Sequence, residues 1–163
     1  MNALDQSIHD FLSYDPVTGS LTWLRNRAGK ALAGTTAGYL HATADGGRYI
    51  RLKFRGKNFF AHRVAWFLTH GEDRADIDHR DRDGTNNRLS NLRIATRSQQ
   101  AANRRGFGRF AKGVYRTRHG TFTAHICIDH QKVYLGTFQT EAEAAAAYAL
   151  RAEEAFGEFA SLS

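Results

Sequence analysis

Ile77–Asn103 reads IDHRDRDGTNNRLSNLRIATRSQQAAN. It joins an Asp–His pair, a run crowded with Asp, Gly, Asn and Ser, a short apolar return and an amide-rich segment. Its apolar content is too thin for a core, and Asp, His and Asn are side chains that hold a hard metal ion and move protons. Ile77–His79 reads as a short strand, 80–90 as a loop and Asn91–Ala95 as a second strand. Thr96, followed three residues on by Gln99, forms a capping box that opens a helix to about Arg104. Such a hairpin and helix can face one divalent ion. Asp78 would supply a carboxylate, His79 would act as general base towards water, and Asn91 would orient His79. Gln99, Gln100 or Asn103 would offer the ion an amide oxygen. The same Asp78, Asp81 and Asp83 also suit plain turns.

Working outward, the 163 residues suffice for one ordinary domain or two or three small modules. Hydrophobic residues at 42% against 24% charged place the chain with globular proteins, not disordered ones. Net charge is +7, and its distribution is uneven. Arg97 to Arg118 holds seven Arg or Lys and no Asp or Glu, whereas Glu141 to Ser163 holds five Glu and one basic residue, Arg151. A localised basic stripe points to a polyanion such as nucleic acid more than to general solubility. The single cysteine, Cys127, excludes a disulfide within the chain and a multi-Cys zinc site, so no structural zinc is expected. The N-terminus is polar and acidic with no apolar signal core, and no run approaches a membrane span. The expectation is a cytoplasmic protein with no membrane contact.

Before the decisive stretch, Leu4, Ile8, Phe11 and Leu12 predict a short amphipathic helix over 3–13. Asp15, Pro16 and Gly19 mark a turn, and Leu21–Leu24 a strand. Ile50, Leu52 and Phe54 alternate with Arg51 and Lys53, then turn through Arg55–Asn58 into Phe59–Phe60: a hairpin with one buried face. Ala61, Val64, Ala65 and Leu68 give a helix over 61–69 with Gly71 as stop signal. After it, residues 105–112 read as a basic, Gly-rich linker. From Gly113 three antiparallel strands are expected, turning at His119–Gly120 and Asp129–Gln131. Phe122, Ala124, Ile126, Val133 and Leu135 take one face. Tyr115, Thr121, Thr123, His125, Cys127 and Tyr134 take the other, with Arg116 and Arg118 beside it. Thr140 and Glu143 form a second capping box for a helix to about Phe156, whose Ala-rich face with Tyr148, Ala152 and Phe156 sits close on the sheet.

Two resemblances follow from these residues. His62-Arg63-Val64-Ala65-Trp66, Asp78-His79 and Gly84-Thr85-Asn86-Asn87-Arg88-Leu89-Ser90-Asn91-Leu92-Arg93 together resemble the HNH nucleases of phages and group I introns, homing endonucleases among them. This implies a ββα-metal DNA endonuclease in which His79 is the general base, Asn91 positions it, and Asp78 binds Mg²⁺ or Mn²⁺. The third position of the motif, usually His or Asn and a metal ligand, falls on Gln100. Arg63, Arg93 and Arg97 are expected to bind backbone phosphates. The second resemblance, over 113 to about 162, is to the Apetala-two (ethylene-responsive factor) DNA-binding domain. It is carried by Gly113-Val114-Tyr115-Arg116, Gly120–Ile126, Tyr134–Phe138 and the helix opening at Thr140. It implies a sheet laid in the DNA major groove.

The expected fold class is α+β. A β-rich part (1–58) precedes a ββα-metal core (59–105), a basic linker (106–112) and a three-stranded antiparallel sheet packed on one helix (113–163). The expected function is metal-dependent cleavage of double-stranded DNA by a monomer or weak dimer, targeted by the C-terminal module. The alternative is a DNA-binding protein without cleavage. Expected DNA contacts also include Arg104, Arg105, Arg109, Lys112, Tyr115, Arg116, Arg118, Thr121, Thr123, His125 and Tyr134.

Overall fold

The computed structural model describes residues 4–27, 31–44, 46–104, 106 and 108–161. It is α+β, and it divides into two compact units, Met1–Ile94 and Ala95–Ser163.

The first unit begins differently from its periodicity. A 3-10 turn, Gln6–Asp10, is capped by Asp5, whose carboxylate accepts from the Ser7 N–H. The chain then leaves helical geometry. β1 (Leu12–Tyr14) pairs antiparallel with β2 (Leu21–Trp23), placing Leu12 opposite Trp23. Burying both side chains in a strand pair outweighs one more turn of a short helix, which is marginal by itself. β3 (Tyr39–Ala42), β4 (Arg48–Phe54) and β5 (Lys57–Phe60) form a three-stranded antiparallel sheet in that order. Leu52, Phe54 and Phe59 point from it into a core with Ile8, Leu12, Trp23, Val64 and Phe67. α1 (Ala61–His70) follows β5 directly and ends at Gly71, whose φ of 74° is the left-handed cap that glycine favours. β6 (Ile77–His79) and β7 (Leu92–Ile94) make a two-stranded ladder against α1, with Ile77 and Leu92 packed on Ala65 and Trp66.

Asn91, expected to start the second strand, instead closes a 3-10 turn, Leu89–Asn91. The loop from 80 to 91 is fastened on two sides. The Leu89 N–H donates to the Pro16 carbonyl at 3.0 Å, and the Tyr14 hydroxyl donates to the Asn87 carbonyl at 2.7 Å. Across from them, Gly84 lies against β4. A Cβ there would stand 2.3 Å from the Tyr49 ring and 2.4 Å from the Arg48 carbonyl oxygen.

In the second unit, Thr96 and Gln99 form the expected capping box of α2 (Arg97–Asn103). β8 (Val114–Arg116), β9 (Phe122–Ile128) and β10 (Gln131–Phe138) make an antiparallel sheet with β9 in the centre. α3 (Glu141–Phe156), opened by the Thr140–Glu143 box, packs Ala144, Tyr148, Ala152 and Phe156 against it. α2 belongs to this unit because Ala102 is buried with Phe156 and Phe159, and its carbonyl accepts from the Ser161 N–H at 3.1 Å. The stretch expected as a linker is tied to the same unit. Lys112 Nζ lies 3.3, 2.5 and 2.6 Å from the carbonyl oxygens of Ala101, Ala102 and Arg104. An ammonium at a helix C-terminus meets the carbonyls that the helix leaves over. Lys112, expected on DNA, is a helix cap here.

Gly84→Ala is expected to lower stability by about 1–3 kcal/mol through the enforced collision with Tyr49 and the β4 backbone. Urea unfolding checks this, and an unchanged midpoint would contradict the close approach.

Candidate active site

His79 owes its position to strand alternation. Ile77 and His79 share the inward face of β6, and the register sets His79 opposite Leu92. The imidazole is 6% exposed. It meets the His62 ring edge to face, with centroids 4.9 Å apart and an interplanar angle of 86°. Tyr49 from β4 lies 6.2 Å away. Burial pulls the His79 pKa below the ordinary imidazole value. The Asn87 hydrogen bond and the charges of Asp81, Asp78 and Asp83 oppose it in part. His79 is therefore neutral at pH 7, the state a general base needs.

Asn87 decides which ring nitrogen is basic. Its Nδ2 donates to the Thr85 carbonyl at 3.3 Å, so its Oδ1 is the atom 3.2 Å from His79 Nε2. Only a protonated Nε2 can donate to that oxygen, so in the neutral ring the lone pair resides on Nδ1. Asn87 is 4% exposed and pinned through its carbonyl by Tyr14. Asn91 was expected to orient His79. Asn91 holds the loop together: Nδ2 donates to Asp81 Oδ1 (2.9 Å) and to the Asn86 carbonyl (2.8 Å), while Oδ1 accepts from the Asp81 N–H (3.0 Å). The Asn86–Asn87 doublet was the signal that could have located the orienting amide.

Asp78, next to His79 but on the opposite face of β6, lies across from Arg93. Arg93 Nε donates to its Oδ2 at 3.0 Å, and Nη2 is at the same distance. Arg93 is 6% exposed, so this is a buried pair and not a guanidinium held out to solvent for phosphate. Arg63 likewise pairs with Asp73, which also accepts from the Leu4 N–H at 2.8 Å. Both arginines were expected on the DNA backbone. A carboxylate at the facing position takes each of them first, because a buried cation without a counter-charge is costly.

His62, the first residue of the motif, packs at the site from α1. Burial, with the charges of His79 and Arg63, pushes its pKa down to about 3. Its ring stacks on Phe60 at 5.4 Å, and its Nδ1 is buried without a hydrogen-bond partner.

Among the described residues no group of three or more His, Cys, Asp or Glu is placed to hold a metal ion. A single carboxylate is a donor that Mg²⁺ accepts while it keeps water and phosphate in its shell. Asp78 can serve as one such ligand. Gln100 lies in the second unit, where its Nε2 donates to the Ala95 carbonyl at 3.3 Å.

The other expected contacts also sit in the second unit. Arg97, Arg104 and Arg109 are exposed, and Arg105 lies outside the described residues. On the open face of the β8–β10 sheet, His125 stands between Tyr115 and Tyr134, with ring centroids at 5.8 and 5.3 Å. Thr123 faces Tyr115 across the strands, and Arg116 and Arg118 are exposed alongside. Thr121 Oγ1 lies 2.7 Å from Thr117 Oγ1 at the turn.

With this geometry established, the comparisons with known proteins can be placed on it. Residues 59–102, which include α1, β6, β7 and most of α2, match the family model described as HNH endonuclease. An HNH endonuclease of Acanthamoeba polyphaga mimivirus is 37% identical over 84 residues, 52% of this chain and 44% of that protein. The HNH homing endonuclease I-HmuI, in a structure describing its DNA binding and cleavage, shows 26% identity and a TM-score of 0.39, covering 57% of this chain and 51% of its own. The chain spans about half the length of both. Among the described residues no helix is long and apolar enough to cross a membrane.

The buried neutral His62 gives stability a pH dependence. Between about 3 and 6.5 the unfolded chain binds a proton at His62 that the folded chain refuses, so stability falls as pH falls through that window. The slope from this one group reaches about 1.4 kcal/mol per pH unit. Urea midpoints from pH 7 to 4 should fall more steeply for the parent than for His62→Phe. Parallel slopes would contradict the burial.

Proposed function

We propose that the chain is a metal-dependent DNA endonuclease whose base is His79 Nδ1. The observation that carries this reading is the Tyr14–Asn87–His79 relay within an HNH segment. A buried amide oxygen fixes the Nε2 proton and leaves a basic Nδ1 on a neutral ring. Nothing in ordinary core packing requires a neutral imidazole to be so oriented. In the proposed reaction His79 takes a proton from the attacking water. Asp78 would hold a divalent ion, Mg²⁺ or Mn²⁺, which supplies charge stabilisation at the scissile phosphate when bound. Arg93, paired with Asp78, holds that carboxylate in place. By sequence order Gln100 takes the motif's third position, the one usually filled by His or Asn.

Double-stranded DNA is the proposed substrate. Support comes from the +7 net charge and the exposed Arg97, Arg104 and Arg109, together with the Tyr115–His125–Tyr134 face, which resembles an Apetala-two sheet. A recognition module tethered to a cutter raises its local concentration at the target. The Asp78–Arg93 pair favours a second reading, a DNA-binding protein with little cleavage, since the guanidinium competes with an ion for the same carboxylate.

Nicking of supercoiled plasmid with Mg²⁺ or Mn²⁺ separates the two. Parent protein should convert supercoiled to open-circular DNA, and His79→Ala should cut about 10²–10⁴-fold more slowly while still binding. Asn87→Ala should lie between them, and Gln100→Asn should cut at least as fast as the parent. DNA binding with no cleavage under any ion would leave only the second reading.

A further inference from the structure

The turn that joins β1 to β2 has no core of its own to fill. Asp15, Pro16, Val17 and Thr18 are exposed, Val17 at 76%. Its shape is nevertheless fixed from within. Asp15 Oδ1 accepts from the Val17 N–H at 2.9 Å and from the Thr18 N–H at 3.3 Å, and Oδ2 accepts from the Thr18 hydroxyl at 2.7 Å. The Gly19 N–H donates to the Asp15 carbonyl at 2.8 Å, and the Pro16 ring locks one more dihedral. The turn is thus shaped by neighbours along the chain, whatever lies across from it.

What lies across from it is the peptide between Asn87 and Arg88. A Cβ at Gly19, where φ is 78°, would stand 2.5 Å from the Arg88 backbone nitrogen and 2.6 Å from the Asn87 carbonyl carbon. Ordinary contact between heavy atoms lies at about 3.5–4.0 Å, so the two backbones approach as only glycine permits. Bonds fasten both flanks of this contact. The Tyr14 hydroxyl donates to the Asn87 carbonyl at 2.7 Å, and the Leu89 N–H donates to the Pro16 carbonyl at 3.0 Å. A turn that only reversed the chain would require none of them. The side chain of the same Asn87 meets His79 Nε2 at 3.2 Å. Little slack remains there, since such a bond is lost beyond about 3.5 Å.

We propose that the Asp15–Gly19 turn, together with Tyr14, is a positioning element for the His79 site. It seats the Asn87–Arg88 peptide, and through that peptide the amide that holds the His79 Nε2 proton. Gly19 and Tyr14 are positioning residues that act on His79 only through Asn87. The clasp rests on the nuclease reading for the use made of His79, but its test requires neither metal nor DNA. The measurement is the NMR spectrum of the full-length protein with its histidine ring nitrogens isotope-labelled, His79→Ala identifying the His79 signals. It reports which nitrogen carries the proton and how fast that proton exchanges with water. In the parent the proton should sit on Nε2. Gly19→Ala drives the peptide back by about 1 Å, more than the slack in the bond. The Nε2 proton should then exchange about tenfold faster, and the Nδ1–H form should appear beside it. Tyr14→Phe keeps the ring and removes the hydroxyl, and should shift His79 in the same direction. Gly34→Ala is the matched control. Its φ is 83° and nothing lies within 4 Å of the added Cβ, so it carries the backbone strain without the contact and should leave His79 as in the parent.

Loosening in Gly19→Ala or Tyr14→Phe with Gly34→Ala unchanged upholds the clasp, and Tyr14→Phe decides if Gly19→Ala does not fold. Parent-like exchange in both variants would overturn it, as would equal loosening in Gly34→Ala, and either result leaves the nuclease reading to the plasmid assay. A parent His79 with its proton on Nδ1 would overturn the clasp and the assigned base together.

Discussion

The amide of Asn87 meets the imidazole of His79 with its oxygen, and much of the first unit serves to keep it so. The amide cannot turn round, because its nitrogen is committed to the Thr85 carbonyl. It cannot move away, because its own carbonyl is gripped by Tyr14 from β1. Tyr14 is placed by the β1–β2 pairing, which the core residues Leu12 and Trp23 hold shut. A chain of fixed groups thus runs from the hydrophobic core to one proton on one ring nitrogen.

The loop that carries Asn87 has no hydrophobic core of its own, and its order is polar. Asp81 accepts from the Asp83 N–H, from Asn91 and from Asn86, which holds its carboxyl below the usual range despite partial burial. Asn91 is the pivot of that network. Its part is to give the loop one shape, so that the amide four residues earlier faces His79. The two asparagines divide the work that the sequence had assigned to one.

The helical positions of this motif are divided as well. α2 is capped by its own Thr96 and Gln99, but its buried Ala102 packs with α3 and its C-terminal carbonyls are met by Lys112. Cationic side chains in this protein are repeatedly taken by the nearest internal acceptor: Arg93 by Asp78, Arg63 by Asp73, Lys112 by a helix end. Charge counted along the sequence therefore overstates what reaches a nucleic acid at those positions. On β4, Arg51 and Lys53 have no facing carboxylate.

The sequence by itself determined the elements with strong local signals. The capping boxes at Thr96 and Thr140, the alternation in β4 and β9, the Gly71 stop and the Ala ladder of α3 are all found at their expected places. These are contacts between residues close along the chain, so residue type and spacing suffice. Asp78 and His79 were legible for the same reason, as neighbours on one short strand. The tertiary structure alone decided what Leu4, Ile8, Phe11 and Leu12 become, since the pull of Trp23 on Leu12 acts across the strand pair. It alone brought the Asn87 amide to His79, by folding the 80–91 loop back on itself. It alone set His62 against His79, bringing α1 and β6 together through Ala65, Trp66 and Ile77. Each of these depends on which distant group arrives within hydrogen-bond or van der Waals reach. That is a property of packing, which no local pattern encodes.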